Sequence, residues 1–97
     1  MFDTGINLVN NMIDDTGSRI IDTLKKGNFL LSVHAAGRMD QRSVTKSDIR
    51  QACGNTAKSC IFQDQHGTWR VEGEDLDGEI LTVICGIDRS VVVVTIF

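Results

Sequence analysis

Three side chains suited to phosphodiester chemistry recur at helical spacing within residues 32–42. His34, Arg38 and Arg42 are four residues apart, so in a helix they lie within about 80° of one another on one face. An imidazole transfers protons near neutral pH, and a guanidinium binds phosphate or carboxylate through two hydrogen bonds. The stripe therefore predicts either a site for phosphodiester chemistry or a helix whose arginines hold carboxylates from elsewhere in the fold.

Each residue of the stripe has a structural alternative. His34 would either exchange a proton with a ribose oxygen of RNA or hydrogen-bond to a backbone carbonyl and fix the helix on the sheet. The two arginines would either hold the scissile phosphate or pair with carboxylates of the second half of the chain, such as Glu72, Glu74 or Asp88. Arg42 lies near the expected helix end, which favours the structural role for this residue.

Thr95, Trp69 and His66 are further polar or aromatic candidates. Thr95 is the polar residue of an apolar terminal run, and on a sheet that faces the His34 helix it would bind a phosphate or satisfy a backbone group. Trp69 would stack a base or, as the favoured alternative, pack in the core. His66 falls in a predicted turn and is interpreted as a solvated loop residue. Two histidines offer too few ligands for a metal site, and no cofactor motif is present, so we expect neither a metal nor a cofactor.

The composition is that of one small globular domain. The 97 residues are 41% hydrophobic and 24% charged, which argues against disorder. No apolar run approaches the roughly 20 residues that span a bilayer, and the first residues lack the features of a signal peptide, so we expect a cytoplasmic protein without membrane association. The three cysteines fit neither a disulfide framework nor a zinc site. We expect Cys60 and Cys85 to be buried and Cys53 to be more accessible.

The charge of the chain is unevenly distributed. The net charge of −3 opposes sequence-independent binding of nucleic acid. Residues 34–58, however, carry five basic and two acidic side chains, whereas residues 59–97 carry seven acids against two arginines. A basic helical half on an acidic sheet half would still present a local anion-binding face.

Apolar periodicity divides the chain into a helical half and a strand half. Helices are predicted over about 5–26, 33–42 and 46–53, the second capped by Ser32 and the third by a Thr45–Asp48 capping box. Strands with tight turns follow, over about 57–63, 68–73, 79–87 and 90–97. These patterns predict an α+β fold in which N-terminal helices pack on a four-stranded antiparallel meander. The run Val91–Phe97 is too apolar for an open edge, so we expect a central strand or pairing in a homodimer.

The stripe and the strands together resemble the family of domain of unknown function 4258. The resemblance covers roughly residues 30–97 of a single domain over 1–97, and it leaves 1–27 as an N-terminal helical segment. Its specific part is Ser32-x-His34-Ala35-x-x-Arg38-Met39-x-x-Arg42, followed by Val44-Thr45-x-x-Asp48-Ile49. Three strand pieces also fit, namely Val71-x-Gly73, Leu81-x-Val83 and Val93-Val94-Thr95.

The resemblance implies a small bacterial protein found beside antitoxin-like partners or at the ends of larger toxins. The order of elements is similar to that of the barnase–colicin–RelE ribonucleases, although fold alone does not establish chemistry. The leading hypothesis is a toxin-like, metal-independent ribonuclease with His34, Arg38, Arg42 and Thr95 as site residues. Its partners would be RNA and a cognate antitoxin or immunity protein. The alternative is a non-catalytic interaction module, either an immunity or antitoxin-type binder or an inactive homologue.

Overall fold

The computed structural model describes residues 16–63 and 65–97. Helix α1 occupies 16–26 of this part, and the predicted helical residues 5–15 lie outside it. The other elements are β1 (Phe29–Leu31), α2 (Val33–Arg42), α3 (Lys46–Cys53), β2 (Ser59–Gln63), β3 (Thr68–Glu74), β4 (Ile80–Asp88) and β5 (Ser90–Ile96). The α+β class is confirmed, since two capped helices and four strands lie close to their predicted positions.

The sheet has five strands rather than the predicted four, in the order β1-β5-β4-β3-β2. Strands β2 to β5 form the predicted antiparallel meander. The fifth strand is β1, which lies outside the four predicted strands and pairs in parallel with β5 over Val91–Val93. The prediction of a purely antiparallel, four-stranded sheet was therefore wrong. A three-residue segment is too short to show an alternating pattern of its own. The strand that pairs with it comes from the far end of the chain.

Strand β5 lies between two other strands of the sheet. The apolar run near the end of the chain therefore forms a central strand, the first of its two predicted alternatives. The edge of β5 that faces away from β4 is covered in its first half by strand β1. The start of α2 covers the rest of this edge. The Ser32 amide donates to the Val93 carbonyl at 3.0 Å, and the Ser32 hydroxyl donates to the Val94 carbonyl at 2.7 Å. The chain thus protects this edge by itself, and the apolar run is no longer an argument for a homodimer.

The helices of the described residues lie on one face of the sheet and enclose the core. Ile20, Leu24, Ile49, Leu81 and Val93 are among its fully buried members. We call this side the inner face, and the opposite side the outer face. Helix α3 approaches β3 so closely that a Cβ built on Gly73 would lie 1.9 Å from the carbonyl oxygen of Ala52. The glycine therefore sets the distance between this helix and the sheet.

The cysteines are structural. Cys53 and Cys85 are fully buried, and burial raises the pKa of each thiol to about 12. Cys60 is partly buried, and burial raises its pKa as well. The expectation that Cys53 is the more accessible thiol was wrong, because the last turn of α3 directs this residue into the core. A thiol that stays protonated is a poor nucleophile, so the buried Cys53 and Cys85 are not candidates for catalysis.

Helix α3 begins with the predicted capping box. The Asp48 amide donates to the Thr45 hydroxyl at 3.2 Å, and the Thr45 amide donates to the Asp48 carboxylate at 2.9 Å. The same carboxylate accepts the Leu76 amide at 3.1 Å, which ties the β3–β4 turn to the helix. The hydrogen bond from the Thr45 amide, together with that from Leu76, lowers the pKa of Asp48 in spite of the opposing effect of burial.

Replacing Thr45 by alanine is expected to lower the free energy of unfolding by about 1 kcal/mol, because the first turn of α3 loses its cap. The urea midpoint measures the effect, and Ser47→Ala, an exposed change in the same turn, is the matched control. Equal midpoints for the two variants would contradict the capping role of Thr45.

Candidate functional site

Helix α2 places His34, Arg38 and Arg42 on one flank. The Ser32 hydroxyl caps the helix by accepting the Ala35 amide at 3.0 Å. Ala35 and Met39 are buried and fix the rotation of the helix on the core. The three residues of the stripe lie beside this buried line, so the predicted shared face is present.

Arg38 binds the backbone near the end of β5 and an aromatic ring. Its Nε donates to the Ile96 carbonyl at 3.3 Å, and its Cζ lies 5.9 Å from the centroid of the Phe97 ring. The residue thus holds α2 on the sheet, the task that the structural alternative gave to His34. Of the carboxylates considered as its partners, Glu72 lies 3.7 Å from Arg70 and Glu74 lies 3.4 Å from Lys58.

His34 and Arg42 are exposed to solvent. Within residues 16–63 and 65–97, neither side chain forms a hydrogen bond or an ion pair. The fold therefore does not need either group for an internal contact among these residues. Both side chains are accessible to a ligand that approaches the flank of α2.

Thr95 lies on the outer face of the sheet and not on the face that the helices cover. Simple alternation from Val91 and Val93 would place it inside, but the register between β4 and β5 shifts at Val94. After this bulge Thr95 pairs with Ile84 on the outer side, and Ile96 takes the inner position beside Val83. A bulge often redirects a side chain in this way.

Thr95 lines a concavity of about 480 Å³, which we call the outer-face concavity. Its lining consists of Gln63, His66, Thr68, Arg70, Ile84, Val94, Thr95 and Phe97. Phe97 joins this concavity to the flank of α2, because its ring also contacts Arg38. The structure therefore brings Arg38 and Thr95 to the same corner of the molecule, on either side of Phe97.

Arg70 is a candidate that sequence reasoning missed, and it borders the same concavity as Thr95. His66 is exposed in the turn between β2 and β3, as predicted, and it also borders this concavity. The alternation along β3 shows that Thr68 and Arg70 share a face. Only the strand order shows that this face adjoins Thr95. Trp69 lies on the inner face, where it packs against the core and lies 5.2 Å from the ring of Phe62, which favours the core role.

The described part of the chain offers neither a metal cluster nor a membrane span. Residues 16–63 and 65–97 contain no group of three or more histidine, cysteine or acidic side chains placed to hold a metal ion. Over the same residues, no helix combines the length and apolar character that crossing a bilayer requires.

The family model of a domain of unknown function, DUF4258, matches residues 31–97, which confirms the predicted family. Searches of curated proteins and of solved structures found no significant match. The match contains the flank of α2 and all strands from β2 to β5.

Proposed function

Since the chain belongs to the DUF4258 family, a domain of unknown function, we propose from its site that it is a metal-independent endoribonuclease of a bacterial toxin–antitoxin or polymorphic toxin system. The observation that carries the proposal is the contact of Arg38 with Phe97 at 5.9 Å. It joins the flank that bears His34 to the concavity that bears Thr95. An imidazole can transfer the protons in the cleavage of an RNA phosphodiester, and guanidiniums and a hydroxyl group can bind its phosphate.

The guanidinium of Arg38 retains binding capacity for a phosphate. It carries five N–H donors, and the hydrogen bond to the Ile96 carbonyl uses the one on Nε. That hydrogen bond and the Phe97 ring restrain the side chain, so that less conformational freedom is lost when a ligand binds. Arg42 lies one turn further along the same flank, where it would bind the next phosphate of the RNA.

The proposed reaction uses the groups on the flank and in the concavity. His34 removes the proton of a ribose 2′-hydroxyl, and the 2′-oxygen attacks the adjacent phosphorus. The bond from phosphorus to the 5′-oxygen breaks, and the leaving oxygen takes a proton from protonated His34. The products are a 2′,3′-cyclic phosphate and a 5′-hydroxyl. Arg38, Arg42 and Thr95 hold the phosphate and stabilise the charge that develops on its oxygens.

A second candidate function is a non-catalytic interaction module that binds a toxin or an antitoxin. The specific observation in its favour is the apolar surface where β1 passes into α2. Val33 is 92% exposed and Leu30 is 58% exposed, beside the exposed His34. Clustered exposed apolar side chains are typical of protein interaction surfaces, and Leu30, Leu31 and Val33 are all exposed within four consecutive residues.

The experiment that separates the two functions uses the full chain, single-stranded RNA and a chelator. We expect the wild-type protein to cleave RNA in the presence of the chelator and to arrest growth when expressed without a partner. Arg38→Lys is expected to lose most of this activity, because an ammonium cannot bind a phosphate in the planar, bidentate manner. Arg89→Lys, on the exposed β4–β5 turn, is the matched control and should retain it. Absence of both RNA cleavage and growth arrest for the wild type would favour the interaction module.

A further inference from the structure

The register of the central strands places a cation and a hydroxyl group on opposite sides of one apolar residue. Arg70 on β3 is the cross-strand partner of Ile84 on β4, and Ile84 is the partner of Thr95 on β5. Neighbouring strands lie about 4.8 Å apart, so the backbones of Arg70 and Thr95 are about 10 Å apart across the sheet. Ile84 is 9% exposed and forms the floor between them.

We propose that the outer-face concavity is an RNA-binding subsite. It holds one backbone phosphate between Arg70 and Thr95, and the ring of Phe97 stacks on a base. This inference rests on the proposed function. It gives the RNA substrate of that activity a path from Arg38 across Phe97 into the concavity.

The charges around the concavity favour an anion. Arg70 is the cationic side chain of its lining, and His66 adds ring nitrogens as further hydrogen-bonding groups. Among the described lining residues none carries an acidic side chain. Of the described residues, Glu72 lies 3.7 Å from Arg70, and both side chains are substantially exposed. A surface pair of this kind contributes little stability, so Arg70 can turn from Glu72 to a phosphate.

The aromatic ring favours a nucleic acid strand over an acidic peptide. Phe97 is 49% exposed at the rim of the concavity. Arg38 lies over the ring, and Arg70 lines the concavity that the ring borders. Sites for single-stranded nucleic acid combine an aromatic stacking platform with cations that follow the backbone. A carboxylate-rich peptide needs the cations but gains nothing from the platform.

The test measures binding of a fluorescently labelled 2′-O-methyl oligoribonucleotide to the full chain by anisotropy at several salt concentrations. The methyl group blocks the 2′-oxygen, so binding is measured without cleavage. Arg70→Gln should weaken binding about tenfold and reduce the slope of log affinity against log salt by about 0.7, the value for one phosphate of a single strand that is no longer neutralised. Phe97→Leu should weaken binding about tenfold and leave the slope unchanged, because stacking releases no counterion. Arg89→Gln, an arginine outside the concavity, should change neither quantity.

The outcomes separate this inference from the proposed function. If wild-type protein cleaves RNA but Arg70→Gln binds with unchanged affinity and slope, the inference is overturned and the ribonuclease proposal stands. If the variants behave as expected but the wild type cleaves no unmodified RNA, the subsite stands and the catalytic proposal is overturned. Binding of a labelled glutamate-rich peptide in preference to RNA would overturn the inference in favour of an acidic protein partner.

Discussion

His34→Ala is expected to reduce RNA cleavage by about 10² to 10⁴-fold, the usual contribution of a general acid or base. His34→Gln should be equally inactive, because an amide forms hydrogen bonds but cannot exchange a proton in this pH range. Both variants should unfold within about 0.5 kcal/mol of the wild type, since His34 is exposed and forms no hydrogen bond within the described residues. Initial cleavage rates in chelator and thermal unfolding curves measure the two effects.

The glutamine variant distinguishes proton transfer by His34 from a structural hydrogen bond at this position. If His34 served the fold as a hydrogen-bonding group, alanine would cost about 1–3 kcal/mol and glutamine would restore most of it. Gln41→Ala, an exposed change on the same helix, is the matched control for activity and stability. Full cleavage activity in His34→Gln would exclude proton transfer by this residue and leave the flank of α2 with a binding role.

Gly73→Ala is expected to destabilise the protein by about 3 kcal/mol or more, at the upper end of the cost of overpacking. The added Cβ would lie 1.9 Å from the Ala52 carbonyl oxygen and 2.9 Å from that of Thr56. Both are backbone atoms and cannot move aside as a flexible side chain would, so α3 must shift away from β3. A domain of this size has about 5–15 kcal/mol of stability in total, and urea unfolding at equilibrium measures the loss.

The matched control for this prediction is Gly86→Ala on the neighbouring strand β4. A Cβ at Gly86 would meet no atom within 4 Å, so it tests the effect of replacing a strand glycine without a clash. We expect its urea midpoint to stay at or slightly above that of the wild type, because alanine restricts the unfolded chain more than glycine does. Similar midpoints for the two variants would contradict the close approach of α3 to β3.

The fold shows which partners hold the acidic residues of the strand half and which residues line the outer-face concavity. The acids of the strand half that have defined partners are engaged locally, since Glu74 pairs with Lys58 and Asp75 accepts the Asp77 and Glu79 amides at 2.9 Å. The residues lining the outer-face concavity, in the part of the chain described, include Arg70 and no acidic side chain. A net charge of −3 is therefore compatible with a local site for phosphate.

The sequence by itself determined the elements whose signals are local. Ser32 caps α2 and the Thr45–Asp48 box caps α3, because a capping residue satisfies amides only three residues away. The meander from β2 to β5 followed from alternation and turn residues, which also act over short distances. The shared face of His34 and Arg38 followed from helix geometry alone, and the motif around them was sufficient to predict the family.

Only the tertiary structure decided where these residues meet. The pairing of β1 with β5, the hydrogen bond from Arg38 to the Ile96 carbonyl, and the alignment of Arg70 with Thr95 all join parts of the chain that are distant in sequence. The bulge at Val94 matters most, because a shift of one residue moves every later side chain of a strand to the other face. Local patterns carry no information about that shift, so the sequence placed Thr95 on the helix side and the fold placed it on the outer face, which it shares with Arg70.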